Sequence, residues 1–258
     1  MERGFRHWLV AALSVLVLVA CGTYPLRPSP EMLAQTHRIG ILSILGEEVE
    51  ARYIGLTAFN NKYHLAPPQG WELNRKSVEV ASEALRQRGF EVVAIDYPRD
   101  EMWNRYHDDE KYPSLKGREN WRGHPRLPLL EDDLERLAKA SGVDAFLILV
   151  PGGPTPRCGG VESCIGYGEY GYGILNWRGG NADAYLSIEL FLVPARSPGV
   201  GAWSYANTHV RLPFARWEKT LDDYGEEGKG AIRAALYEAA EQEIPRGIDR
   251  MQLRAVAR

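Results

Sequence analysis

The order helix, glycine, apolar strand occurs twice in this chain, and it narrows the available folds more than any other feature. Between Leu73 and Arg88, Val78, Ala81 and Leu85 fall near one helical face, with Arg75, Lys76, Glu79 and Arg86 outside it. Gly89 is placed to stop that helix, and Phe90 to Asp96 (FEVVAID) follows as a strand. Leu129 to Ser141 repeats the arrangement, with Gly142 as the stop and Val143 to Val150 (VDAFLILV) as a buried strand. An earlier apolar run, His37 to Leu45 (HRIGILSIL), supplies the strand that feeds the first helix. A helix between two strands of one sheet is a crossover, so these strands are expected to lie parallel.

The C-terminal half has a different period. Residues 183–193 (DAYLSIELFLV) and 202–212 (AWSYANTHVRL) each alternate across a Pro/Gly turn, which predicts an antiparallel hairpin. Residues 49–59 alternate as well and read as a second, edge-like strand. Residues 215–244 form a last helical region, interrupted near Gly225–Gly230. The expected fold is therefore α/β, a two-layer or three-layer sandwich. Its mixed sheet would join parallel crossover strands to a C-terminal hairpin, followed by a C-terminal helix. The domain would span residues 37–250. An irregular insertion at about 97–128 would carry at most a short helix near 100–111, and a Gly/Tyr-rich segment would occupy about 151–180.

Residues 1–20 carry the parts of an export signal. Arg3 and Arg6 form a basic start, and Trp8 to Ala20 is apolar except for Ser14, too short for a membrane-spanning helix. The run closes on Leu18-Val19-Ala20-Cys21, which resembles a bacterial lipobox. That resemblance implies cleavage before Cys21, lipidation of Cys21 and a membrane-tethered life outside the cytosol. Gly22 rather than Asp after the cysteine implies sorting to the outer membrane, facing the periplasm. Residues 21–36, with Pro25, Pro28 and Pro30, then read as the lipidated residue and an extended tether. Residues 21–258 hold 29 basic and 33 acidic side chains. Without a basic excess, nucleic acid is not an expected partner.

Cys158 and Cys164 are the other two cysteines. In an oxidising compartment a disulfide is their first reading, with free thiols, redox chemistry or a metal site as rivals. Non-Cys-x-x-Cys spacing and the lack of a second ligand pair argue against the last two.

The order of elements resembles a group of envelope lipoproteins that includes CsgG, the N-terminal domain of TolB and the GNA1162-type proteins. The matching residues are Gly89-Phe90-Glu91-Val92-Val93, Gly142-Val143-Asp144-Ala145-Phe146-Leu147 and Trp203, over residues 38–96 and 129–244. The resemblance implies an α/β sandwich and a mostly non-enzymatic role. Fold alone does not assign function.

The sequence offers little catalytic chemistry. Gly166-Tyr167-Gly168-Glu169-Tyr170-Gly171 matches G-x-G-x-x-G, but a dinucleotide site needs that turn directly between a strand and a helix. His107-Asp108-Asp109-Glu110 reads as a solvated charge run, and Glu131-Asp132-Asp133 as acids complementing a helix N-terminus. No G-x-S-x-G is present, and Ser163 has no helix to follow. No metal or cofactor is expected. Tyr167, Tyr170, Tyr172 and Trp177 form the candidate binding surface, against the plainer alternative of tyrosines covering their own core. The expected function is an envelope assembly or accessory factor that engages a protein partner. A binder of peptidoglycan or another glycan is the alternative, and a hydrolase with a site across loops 97–128 and 151–180 the third.

Overall fold

The computed structural model describes residues 25–54, 62–107, 119–121, 124, 126–152, 171–177, 182–213 and 220–256. It is an α/β protein built on one mixed sheet. The elements in chain order are α1 (Pro30–Gln35), β1 (Arg38–Ser43), β2 (Val49–Ile54), β3 (Lys62–Ala66), α2 (Leu73–Arg86), β4 (Glu91–Val93), α3 (Arg99–Tyr106), α4 (Glu131–Ser141), β5 (Ala145–Pro151), β6 (Gly171–Trp177), β7 (Ala182–Pro194), β8 (Ala202–Arg211) and α5 (Gly225–Arg250).

The crossover strands β4, β1 and β5 are parallel, and β7–β8 is an antiparallel hairpin. The rest follows from the length of β7. Its second half pairs with β5 (Ala145↔Pro194 to Pro151↔Ile188) and its first half with β6 (Gly171↔Ser187 to Asn176↔Ala182). Because β8 holds the other side of β7 throughout, β5 and β6 lie end to end on one line. The chain leaves that line after Gly152, whose N–H donates to Ser187 O (2.9 Å), and rejoins it at Gly171 beside the same Ser187. Strands β1 and β2 repeat the pattern one line further out, parallel to β5 and β6. The sheet is thus five lines wide: β8, β7, β5/β6, β1/β2 and finally β4 with β3.

Helices cover it on both sides, giving three layers. On one face α2 and α5 pack on Ile39, Ile41, Leu147, Leu149, Ile174, Leu186, Ile188 and Leu190. On the other, α3, α4 and Trp121 pack on Leu42, Phe146, Ile148, Val150, Phe191 and Val193. Strand β5 is buried along its whole length, which is why its sequence is an unbroken apolar run. Both glycine stops take left-handed backbone, Gly89 at φ +87° and Gly142 at φ +63°. The Gly142-Val143-Asp144 turn has a further role. The Asp144 carboxylate accepts the N–H groups of His37 and Arg38 (both 2.9 Å), fixing where β1 starts.

Several expectations are revised. Strand β2 is an interior strand, because it pairs with β3 on one edge and β6 on the other; the remainder of the 49–59 run lies outside the described residues. The Phe90–Asp96 strand shortens to Glu91–Val93. The insertion does carry its short helix, α3, yet it is not peripheral: Met102, Tyr106, Trp121 and Leu127 are core residues of the second face. The expected break near Gly225–Gly230 is absent. A 3₁₀ turn at Leu221–Tyr224, closed by a reciprocal Thr220–Asp223 cap, leads into α5, which runs unbroken from Gly225 to Arg250. Residues 171–177, read as loose, form a strand whose glycines hide its period. Most consequentially, the expected tether is largely folded. Leu26 exchanges both backbone hydrogen bonds with Trp203 (2.9 and 3.0 Å), and Ser29 caps α1 through a 3.2 Å bond to Met32 N–H.

Candidate functional site

Two polar clusters lie on the sheet face opposite α2 and α5. The first crosses β2, β6 and β7. Glu50, paired with Gly173, and Arg52, paired with Leu175, point to this face, as does Tyr185, the partner of Gly173 from β7. Glu50 and Tyr185 are fully buried. The Tyr185 hydroxyl donates to Glu50 Oε2, and Arg52 Nη2 lies 2.7 Å from Glu50 Oε1. To reach across one strand, the Tyr185 ring lies directly on Gly173, where an added Cβ would sit 2.2 Å from Cζ. Glycine is required here by a close approach rather than by its backbone angle. His209, opposite Tyr185 on β8, places its ring 6.1 Å away. The carboxylate is closed in by its own protein partners, the arrangement of a structural tie.

The second cluster sits where the insertion meets β7 and β8. Glu189 accepts a 3.1 Å bond from Trp203 Nε1, and His124 Nε2 stands 3.8 Å from Glu189 Oε2, beyond hydrogen-bond range. His124 Nδ1 accepts the N–H groups of Leu127 (3.2 Å) and Arg126 (3.4 Å), so the neutral ring carries its proton on Nε2, facing Glu189. Burial, helped by the Arg126 guanidinium, holds His124 down to about 4. Burial pushes the Glu189 carboxyl up, partly offset by the Trp203 bond. This is a carboxyl and an imidazole with opposed shifts side by side, the pattern of an acid–base pair. Here, though, the imidazole's acceptor nitrogen is already committed to the backbone.

The shifts set a pH dependence. An unfolded histidine takes up its proton near 6.5, whereas folded His124 does so only near 4. Between those values the unfolded chain binds more protons, so stability falls as pH drops through this window, by up to about 1.4 kcal/mol per unit. Glu189 works in the opposite sense: its contribution is present in acid and lost as pH rises through its raised value. Urea unfolding between pH 4.5 and 7 should show the net slope, and His124→Asn should flatten it. An unchanged slope in that variant would remove His124 as its cause.

Of the residues singled out in the sequence, Cys21, Cys158, Cys164, Tyr167 and Tyr170 lie outside the described residues. Trp177 ends β6 opposite Ile54, and its side chain also lies outside them. Tyr172 is not a surface residue. It is 2% exposed, its hydroxyl meets Ser77 Oγ (2.8 Å) and donates to Leu73 O (3.1 Å), and burial pushes the phenol well up. It pins β6 to α2, as the plainer alternative had it. His107, read as part of a solvated charge run, is buried with Nδ1 2.8 Å from Trp103 O; Asp133 does lie in the first turn of α4 and is also a buried tie to Arg105 (2.9 Å) and Arg136 (2.8 Å). Among the described residues, no group of three His, Cys, Asp or Glu side chains is arranged to hold a metal ion, and no helix is long and apolar enough to cross a membrane. Sequence reasoning missed the roles of Glu50, Tyr185 and Glu189, and could offer His124 only as one of three histidines, with His64 and His209, that the fold alone could bring to a partner. No local signal marked the two acids, because Glu50 and Glu189 fall on the polar side of their strands' alternation.

No protein-family model matches the sequence, and no curated protein matches it significantly. Among solved structures, the chain is similar to a PelC dodecamer from Paraburkholderia phytofirmans, at 10% identity and TM-score 0.38, covering 89% of this chain and 96% of that one. It is also similar to protein XCC0632 from Xanthomonas campestris, described as a DUF330 protein, at 10% identity and TM-score 0.32, covering 89% and 92%. At that distance neither likeness bears on what this chain binds.

Proposed function

We propose that this is a lipid-anchored accessory protein of the bacterial envelope that acts by binding a protein partner rather than by catalysis. One observation carries the reading: the lipobox-like run Leu18-Val19-Ala20-Cys21 stops five residues before Leu26, the first of the described residues that bonds to the sheet. The buried titratable groups support the non-catalytic half. Glu50 is tied by Tyr185 and Arg52, and the His124 acceptor nitrogen is taken by backbone donors.

In-cell crosslinking of the lipidated chain, followed by affinity capture and mass spectrometry, tests it. A reproducible, near-stoichiometric envelope protein is the expected result. Recovery of muropeptides without a protein would replace it with the glycan reading, and recovery of neither would turn the search to hydrolase activity.

A further inference from the structure

The way the N-terminal segment joins the sheet also orients the domain. Five residues reach at most about 17 Å when fully extended. Crossing the headgroup layer uses roughly 6 Å of that. With Cys21 lipidated, Leu26 therefore stands within about 10 Å of the bilayer surface, whatever path the intervening residues take. Leu26 is fixed by two backbone hydrogen bonds to Trp203, near the start of β8 and on its outer edge. A tether of sixteen residues would leave orientation free; one of five does not.

We propose that the outer edge of β8 from Trp203 to Tyr205 is a membrane-contact surface that lies against the headgroups of the anchoring bilayer. The proposal rests on the lipid-anchored reading above. The residues suit that occupant. Trp203 is half-buried and Tyr205 is 39% exposed, and aromatic rings with polar tips favour the bilayer interface. Arg27, exposed beside Leu26, supplies a cation for lipid phosphates, while Arg250, whose guanidinium lies 4.9 Å from the Tyr205 ring, is already paired with Glu243 (3.1 Å) and serves to hold that ring in place. Glu189, opposite Tyr205, and Glu243 are carboxylates of the patch, the first held by Trp203 Nε1 and the second by Arg250 and Arg246. A strand-adding protein fits less well. Trp203 has both outward backbone groups taken by Leu26, and the Tyr205 carbonyl accepts Arg250 Nη2 (2.6 Å), so this stretch of edge is closed to another strand.

The opposite edge provides the control. Leu65 on β3 is 42% exposed and lies four strand spacings from β8, roughly 19 Å across the sheet. The full-length chain would be produced in a lipoprotein-processing bacterium with photo-reactive p-benzoylphenylalanine in place of Tyr205 or of Leu65. Irradiated membranes would then be analysed by mass spectrometry for lipid adducts, alongside the acyl mass on the N-terminal peptide. Lipid adducts several-fold more abundant at position 205 than at 65 are expected. Arg27→Glu, at an exposed site, should lower the yield at 205 in vesicles of phosphatidylethanolamine and phosphatidylglycerol. An acylated chain labelled equally at both positions, or crosslinked to protein at 205, overturns the orientation and leaves the anchor standing. A chain without acyl mass overturns both.

Discussion

The Cys21→Ser chain is expected to leave the membrane fraction almost completely while keeping its fold. The size of the effect comes from the anchor's hydrocarbon. Each buried methylene contributes about 0.8 kcal/mol, so several acyl chains hold a protein essentially permanently, whereas one holds it marginally. Among the described residues no helix is long and apolar enough to cross a bilayer. The contact surface proposed along β8 has two aromatic rings with Arg27 beside them, enough to orient a tethered domain but not to retain a free one. Thermal unfolding of the variant should match the parent, because the described fold begins at Pro25 and its first sheet contact is Leu26. Fractionation by ultracentrifugation, with intact mass on both chains, makes the measurement. A serine variant that still sediments with membranes would sink the lipid-anchored reading.

Glu50→Ala should be the most damaging single substitution in the sheet. Glu50 is fully buried, Arg52 is 12% exposed at its side chain, and the Tyr185 hydroxyl is aimed at the same carboxylate. Removing the anion leaves a nearly buried guanidinium and a phenol without the group they were built around. Breaking a buried pair in this way costs about 3–5 kcal/mol. For a domain of this size that is a fall in Tm on the order of 10 °C. Gly173→Ala should act on the same unit by another route, because its Cβ would occupy the space of the Tyr185 ring and pull the hydroxyl away from Glu50. Chemical denaturation of both variants is the check. A loss under about 1 kcal/mol for Glu50→Ala would mean that the pair is solvated and structurally idle.

Much of the fold was legible because its signals are local. The glycine stops at Gly89 and Gly142, the unbroken apolar run of β5 and the alternation of β7 and β8 all report on backbone conformation or burial within a few residues. What stayed hidden depends on partners far away in sequence. The carboxylate that caps α2 is Glu47, which accepts the N–H groups of Leu73 and Asn74 (2.9 and 3.0 Å), so no capping residue appears beside the helix. Glu50 looks like the polar half of an edge strand until Tyr185, 135 positions later, arrives over Gly173. Tyr172 looks like an exposed ring in a glycine-rich stretch because Ser77 and Leu73, which enclose it, belong to another element. Pro25, Pro28 and Pro30 suggest an extended tether, yet Pro30 opens α1, where a missing N–H costs nothing. Candidate sites suffered more than the fold for the same reason: each is assembled across the sheet.

The end-to-end placement of β5 and β6 has an evolutionary consequence. Eighteen residues, 153–170, are spliced into one continuous line of pairing, whose two ends meet beside Ser187. The places where β5 ends and β6 begins are set by the pairings of β7 with β5, β6 and β8, so selection on the register acts through these strands themselves.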